Sequence, residues 1–435
     1  MQLLLIYFII FLLFMSSRGS SLLRPVSAFG SRLYRRQQKQ NAFRLHNTAV
    51  AYDCDTASKD ESTTVANLEP YFSIYYNDVW EVDMPPGHRF PMSKYKKVRT
   101  AVQAYIHNAE QQIQCDFRVS PLATFEQLST THCSEYITRY LSGKMTAEEN
   151  RNIGFPWTMQ HVNRTLSSAG GTVAAAVDAY EEYLKRQQHH DNGQTDNVHL
   201  CWSAHVAGGT HHAFRDYGEG FCIFSDIAVA ANVLLQKFPY QPSTEANPTT
   251  KSKGIRRILI IDLDVHQGNG NAALFQGNDK VQTFSVHCRS NYFSKKEKSD
   301  LDIELPPGCT DETYLTTLKH WLRRIKEHPF DDDDDDQLET QGQKPFDFIF
   351  YQAGVDIHKD DRLGRLSITQ KGISRRNHLV FDFAHRMRAP LVICMGGGYP
   401  KSDDWTPILT AHAGVYTEAH QYLSSFKTVA NEMHK

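Results

Sequence analysis

The chain has no Cys-x-x-Cys pair. Its eight cysteines (Cys54, Cys115, Cys133, Cys201, Cys222, Cys288, Cys309 and Cys394) are scattered, several within apolar runs such as HLCWS and LVICMG. That usage reads as reduced, buried thiols acting as small hydrophobes rather than a disulfide framework. An excess of one charge is also missing: 47 Lys and Arg face 49 Asp and Glu, a net charge of −2. No basic field points to nucleic acid, so no direct nucleic-acid partner is expected. The six aspartates Asp331 to Asp336 lack the glycine and the spacing of a calcium loop and read as a solvated, self-repelling insertion. No internal repeat is found. Hydrophobic residues make up 40% of the 435, enough for one sizeable core plus a disordered margin.

The N-terminal apolar run, Leu3 to Met15, is 13 residues long. It falls short of the roughly 20 needed to span a bilayer and reads as a signal-peptide core. Val26, Ser27 and Ala28 offer a cleavage site before Phe29, and no acidic residue precedes Asp53, whereas Arg32, Arg35, Arg36, Lys39 and Arg44 accumulate. An acid-free, basic, Ser-containing stretch has the chemistry of a transit peptide. A signal core followed by such a segment resembles the bipartite presequences of algae with complex plastids, which implies plastid import. The alternatives are ordinary secretion and a signal anchor. Residues 1–65 are therefore read as presequence and leader and residues 66–435 as one folded domain, with no stable membrane insertion once the presequence is removed.

Within that domain, polar breaks at 185–197, 240–254 and 328–345 read as surface loops. Short apolar runs of strand length lie between them: VHLCWS (198–203), RILIIDLD (257–264), VQTFSVH (281–287), FDFIFYQAG (346–354) and PLVICMG (390–396). Helix-length stretches such as GTVAAAVDAYEEYLKR (171–186) and FSDIAVAANVLLQKF (224–238) separate most of them. Buried strands alternating with helices predict an α/β fold, a three-layer α/β/α arrangement around a mostly parallel sheet.

The chemistry collects just past the strands. VHLCWS leads into HVAGGTHHAF, RILIIDLD into VHQGNG, FDFIFYQAG into VDIHKDDRLG, and PLVICMG into GGYP. Ligands of open α/β sheets bind beyond the carboxyl ends of strands, so four endings converge on one edge. In Asp262-Leu263-Asp264-Val265-His266, strand alternation would project Asp264 and His266 together. Asp356 adds a carboxylate from a neighbouring strand. Two carboxylates and an imidazole leave an open position on a divalent metal, the arrangement of a catalytic zinc; capping of helix N-termini is the bland alternative. His211 and His212 suit general base and general acid work, with Asp262 orienting His211 and Asn269 orienting His212 without adding charge. Gly396, Gly397 and Gly398 permit close backbone approach to a ligand, and Tyr399 could donate to an oxyanion or serve as a core tyrosine.

These residues resemble the histone deacetylase family of the arginase/deacetylase superfamily. The carriers are PPGHRFPMSKY (85–95), THCSEYI (131–137), IGFPWT (153–158), GGTHHA (208–213), EGFCIFSDIA (219–228), DLDVHQGNG (262–270), SDLDIELPPG (299–308), AGVDIHKDDRLGRLSIT (353–369) and GGGYP (396–400). The resemblance implies hydrolysis of an acyl-lysine amide, with Zn2+ on Asp264, His266 and Asp356, the histidine pair on His211 and His212, their partners on Asp262 and Asn269, and the transition-state tyrosine on Tyr399. Gln267 and Asn269 depart from the class I pattern and, with DRLGRLSIT, look like class IV and its bacterial relatives. The family pattern further implies a structural K+ at Ser285, Val286 and the Asp262–Asp264–His266 segment. It implies an acyl-lysine tunnel walled by Gly220, Phe221, Tyr292 or Phe293, Gly397 and Gly398, and a product-channel arginine at Arg89. Three readings compete: an amidohydrolase of acetylpolyamines or another small acylated amine, a two-manganese ureohydrolase, and an inactive acyl-lysine-binding module. The ureohydrolase would want an aspartate where Gly268 stands, and the inactive module would have lost a ligand or the tyrosine, whereas each such position is filled.

Overall fold

The computed structural model describes residues 69–109, 112–190, 199–242, 253–291, 295–327 and 346–432. The 1–65 segment, the aspartate run, Tyr292 and Phe293 lie outside the described residues.

Eight strands form one sheet: β1 (Tyr71–Tyr76), β2 (Cys115–Val119), β3 (Cys201–His205), β4 (Ile258–Asp262), β5 (Val281–Cys288), β6 (Leu301–Leu305), β7 (Phe348–Gln352) and β8 (Leu391–Cys394). Their spatial order is β2-β1-β3-β8-β7-β4-β5-β6, and every neighbouring pair is parallel. All four chemistry-bearing strands, β3, β8, β7 and β4, are therefore adjacent at the centre. The central strands are buried throughout, which is why they read as continuous apolar runs rather than alternating ones. Strands β1, β2 and β6 escaped expectation. The last two are edges, CDFRV and LDIEL, whose polar residues and partial exposure hide the apolar signal.

Alternate strand residues enter opposite layers. Leu259 and Ile261 join Phe72, Trp202 and Tyr351 on one face, while Ile258 and Ile260 join Phe348, Phe350 and Val392 on the other. The first face is covered by helices α1 (Lys94–His107), α8 (Asp311–Glu327), α9 (Gln370–Met387) and α10 (Thr406–Glu432), through residues such as Val98, Leu318, Val380 and Val415. The second is covered by α3 (Ser134–Leu141), α5 (Met159–His190) and α6 (Asp226–Lys237). Short helices α2 (Phe125–Ser129), α4 (Ala147–Ile153) and α7 (Asn269–Phe275) complete the described set. Helix α5 runs on to His190, past the loop expected from 185. Arg186 pairs with Glu182 one turn back at 2.8 Å, a spacing that supports a helix. Among the described residues no helix is long and apolar enough to cross a membrane.

Candidate active site

Strand β4 stops at Asp262, so Asp264 and His266 lie beyond it and strand alternation does not align them. A staircase of side-chain caps does. The Asp264 amide donates to Asp262 Oδ1 (3.2 Å), and the His266 amide donates to Asp264 Oδ1 (3.0 Å). Short acidic side chains that accept from amides two residues on make this turn locally. Asp356 sits past the end of β7, its Oδ1 accepting from Val265 N at 2.9 Å, and Gly397 N donates to Asp264 Oδ2 at 2.8 Å.

These clamps turn one oxygen of each carboxylate toward one imidazole nitrogen. His266 Nδ1 stands 3.2 Å from Asp264 Oδ1 and 3.3 Å from Asp356 Oδ2. The three ligand atoms lie within 4.8 Å of one another, and Asp356 Oδ2 is buried with no well-angled hydrogen bond. Ligands about 2.0–2.1 Å from a tetrahedral ion are themselves about 3.3 Å apart, so these residues fit a divalent cation. Burial opposes charge on His266, yet hydrogen bonds and charges from Asp264 and Asp356 raise its pKa to about 10. Burial and the Asp264 charge push Asp356 up to about 8. Without a cation the cluster holds protons that a metal displaces. A Cβ on Gly397 would lie 2.2 Å from Asp356 Oδ2, so the close backbone approach expected of the glycine run is an approach to the ligand carboxylates.

The His211-His212 loop follows β3. Asp226, at the start of α6, accepts from Gly209 N (2.9 Å), Thr210 N (2.7 Å) and Thr210 Oγ1 (2.7 Å), which fixes the loop. His211 Nδ1 bonds Asp262 Oδ2 at 2.7 Å and His212 Nδ1 bonds Asn269 Oδ1 at 2.8 Å, with the two rings 4.0 Å apart. Burial works against charge on both. For His211 the charges of Asp262 and Asp264 prevail and lift its pKa to about 9. For His212 burial, then the neighbouring His211 and His266, drive it well below its ordinary value. The two adjacent histidines are thus shifted in opposite directions, His211 by its carboxylate neighbours and His212 by burial. Tyr399 faces the same space. Its amide donates to Asp361 Oδ2 at 2.6 Å, and burial, then Asp356 and Asp264, push its phenol well up, leaving it a proton donor.

A model of the histone deacetylase domain matches residues 88–414. The chain belongs to the histone deacetylase family. It is 36% identical over 332 residues to an uncharacterized protein of Picosynechococcus sp., covering 76% of this chain and 93% of that one. It is 29% identical over 204 residues to histone deacetylase 2 of Arabidopsis thaliana, covering 46% of this chain and 45% of that protein. The crystal structure of the HDA15 HD domain matches with a TM-score of 0.57 at 18% identity, over 82% of this chain and 88% of that one, a likeness of fold.

In this deacetylase domain an aromatic group gathers around Phe221. Phe221 holds a left-handed backbone (φ 68°), rare for a non-glycine residue. Its amide donates to Ile153 O and that of Gly220 to Asn152 O, and such over-determined backbone strain gathers at ligand sites. The Phe221 ring lies 4.9 Å from Phe90, 5.1 Å from Phe155 and 6.3 Å from Tyr399. Phe90 and Phe155 were not singled out in the sequence, although both lie in motifs that carry the family resemblance. Arg89 is not internal as the family pattern implied: it is exposed, its guanidinium 5.0 Å over Phe221. The interior cation from the same motif is Lys94, which donates to Gly396 O (3.3 Å) and Gly398 O (3.4 Å) and lies 5.2 Å from the Tyr399 ring. Burial lowers its pKa to about 8. Ser285 is the register partner of Asp262 and bonds His287 Nδ1 at 2.9 Å, with Val286 buried beside it. Asp226, Asp361 and Lys94 were absent from the sequence expectations. Ser225-Asp226 does carry a helix-start signal, but its reach to a loop amide is non-local.

Proposed function

We propose that the protein is a zinc-dependent hydrolase that removes an acetyl or longer acyl group from lysine side chains of a protein or peptide. The observation that carries this is the adjacent histidine pair, His211 bonded to the Asp262 carboxylate and His212 to the Asn269 amide, beside the buried Asp264–His266–Asp356 cluster, with the Phe90–Phe155–Phe221 aromatic group next to Tyr399. A zinc ion held by those three residues supplies Lewis acidity toward a carbonyl and lowers the pKa of water. His212, neutral, accepts the attacking water's proton at Nε2, and His211, cationic and anchored by Asp262, balances the developing charge. The pair then delivers a proton to the departing amine. Tyr399 donates its phenolic hydrogen to the oxyanion, and Phe221 with Phe90 and Phe155 encloses the alkyl stem of the lysine.

Gln267, Asn269 and DRLGRLSIT support a class IV assignment in this reading, and a K+ ion would bind at Ser285, Val286 and the Asp262–His266 turn. Residues 1–65 would direct import to a plastid, so nuclear histones would not be the physiological substrate. Assaying the purified protein against acetyl-lysine, longer acyl-lysine and acetylpolyamine substrates tests the activity. Hydrolysis of acetylpolyamines alone selects the small-amine reading, and full zinc with no turnover of any amide selects a binding module. Fluorescence of a 1–65 fusion in the cytosol or nucleus would remove the import reading, and secretion would select the alternative.

A further inference from the structure

Asn269 opens α7 with its side-chain amide engaged on every side. Its Oδ1 accepts from His212 Nδ1 (2.8 Å) and from Gly270 N (3.0 Å). Its Nδ2 donates to Glu219 Oε1 (2.6 Å) and to Lys295 O (3.2 Å). Both partners of Nδ2 can only accept, so reversing the amide would set oxygen against oxygen. An oxygen facing His212 Nδ1 requires a hydrogen there, and a neutral imidazole carries only one. His212 therefore keeps Nε2 as its lone-pair nitrogen. Glu219 makes the shortest of the four contacts and supplies their one charged partner, and charge-assisted bonds are the stronger kind. The half-buried Glu219 also bridges Cys222 across the turn that carries Gly220 and Phe221.

We infer that Glu219 is a positioning residue for His212, acting through Asn269 to hold the amide in the one orientation that leaves the base unprotonated at Nε2. The carboxylate stands one amide removed from the ring, where it fixes the tautomer without forming an ion pair with the base. Residues 219 and 269 are thereby linked, because an aspartate at 269 would bring two carboxylates to the 2.6 Å separation seen here and force them to share a proton. The consequence for turnover rests on the proposed hydrolase activity; the tautomer does not.

The test is long-range 1H–15N correlation on full-length protein labelled at histidine nitrogen, with His212 assigned by the loss of its signals in His212→Phe. Wild type and Glu219→Gln should show a single Nδ1–H tautomer, since glutamine can still accept from Asn269. Glu219→Ala should show mixed tautomers and a kcat lower by about 10–100-fold. Asn269→Asp should be impaired alone and partly recover when combined with Glu219→Gln, because the new glutamine can then donate to the new carboxylate, although Lys295 O loses its donor and the charge sits directly on His212. An unchanged tautomer in Glu219→Ala, with any loss confined to KM or stability, would overturn the inference. So would a double variant no better than Asn269→Asp. If wild type hydrolyses no acyl-lysine, the hydrolase reading fails while the tautomer result still decides this one.

Discussion

Replacing Tyr399 by phenylalanine separates chemistry from packing at this site. The ring is buried, 6.1 Å from Phe90 and 6.3 Å from Phe221, with the Lys94 ammonium 5.2 Å from its centroid. Phenylalanine preserves all three contacts. Among the described residues no hydrogen bond holds the Tyr399 hydroxyl, and its amide bond to Asp361 belongs to the backbone. Removing the oxygen therefore orphans no buried partner, and folding stability should change by no more than about 0.5 kcal/mol. The expected loss lies in the reaction. One donor to a developing oxyanion is worth about 2.7–4 kcal/mol, or about 10²–10³ in turnover. Because that bond strengthens only in the transition state, the loss should fall on kcat with KM little changed. Steady-state kinetics on an acetyl-lysine peptide, with metal content and melting temperature measured on the same sample, check each part. A Tyr399→Phe enzyme as fast as wild type, with equal metal, would make the tyrosine a core residue and refute the assignment.

Asp264→Ala should abolish both activity and bound zinc, since two remaining ligands do not hold a catalytic geometry; full metal occupancy in the purified variant would count against the site. Gly397→Ala should impair metal binding more than folding, because its Cβ would meet Asp356 Oδ2 at 2.2 Å, and a metal titration equal to wild type would show that the loop gives way. Acid should destabilise the fold. Burial lowers the pKa of His132 and His161 to about 4 and of His205 to about 3, so the unfolded chain binds their protons first. Their stabilisation is complete above an unfolded pKa of about 6.5 and declines as pH falls toward 4, on the order of 3 kcal/mol for His132 alone. Denaturant midpoints that stay flat from pH 7 to 5 would contradict this.

Much of the site was legible because its chemistry comes directly after buried strands. An apolar run ending in DLDVH or QAGVD announces polar groups at a sheet edge, and both the run and its ending lie within a few residues of chain. The fold class came from the same local signal, since strands covered on both faces must be apolar throughout. Edge strands β2 and β6 were invisible because their exposed positions carry Asp, Arg and Glu. The convergence of Asp264 and His266 was expected, but its cause was not: amide caps in a turn align them, not the pleat of a strand. Arg89 and Lys94 stand five positions apart in one motif, yet only the packed chain sends the lysine inward to Gly396 and Gly398 and leaves the arginine exposed over Phe221. Asp226 holding the histidine loop and Glu219 holding Asn269 likewise join residues 16 to 50 positions apart. Chain-local rules determine which segments are buried and where polar groups emerge. Which of those groups touch depends on strand order and helix placement, and the hydrogen bonds and charge balance that set each protonation state exist only once distant segments are packed together.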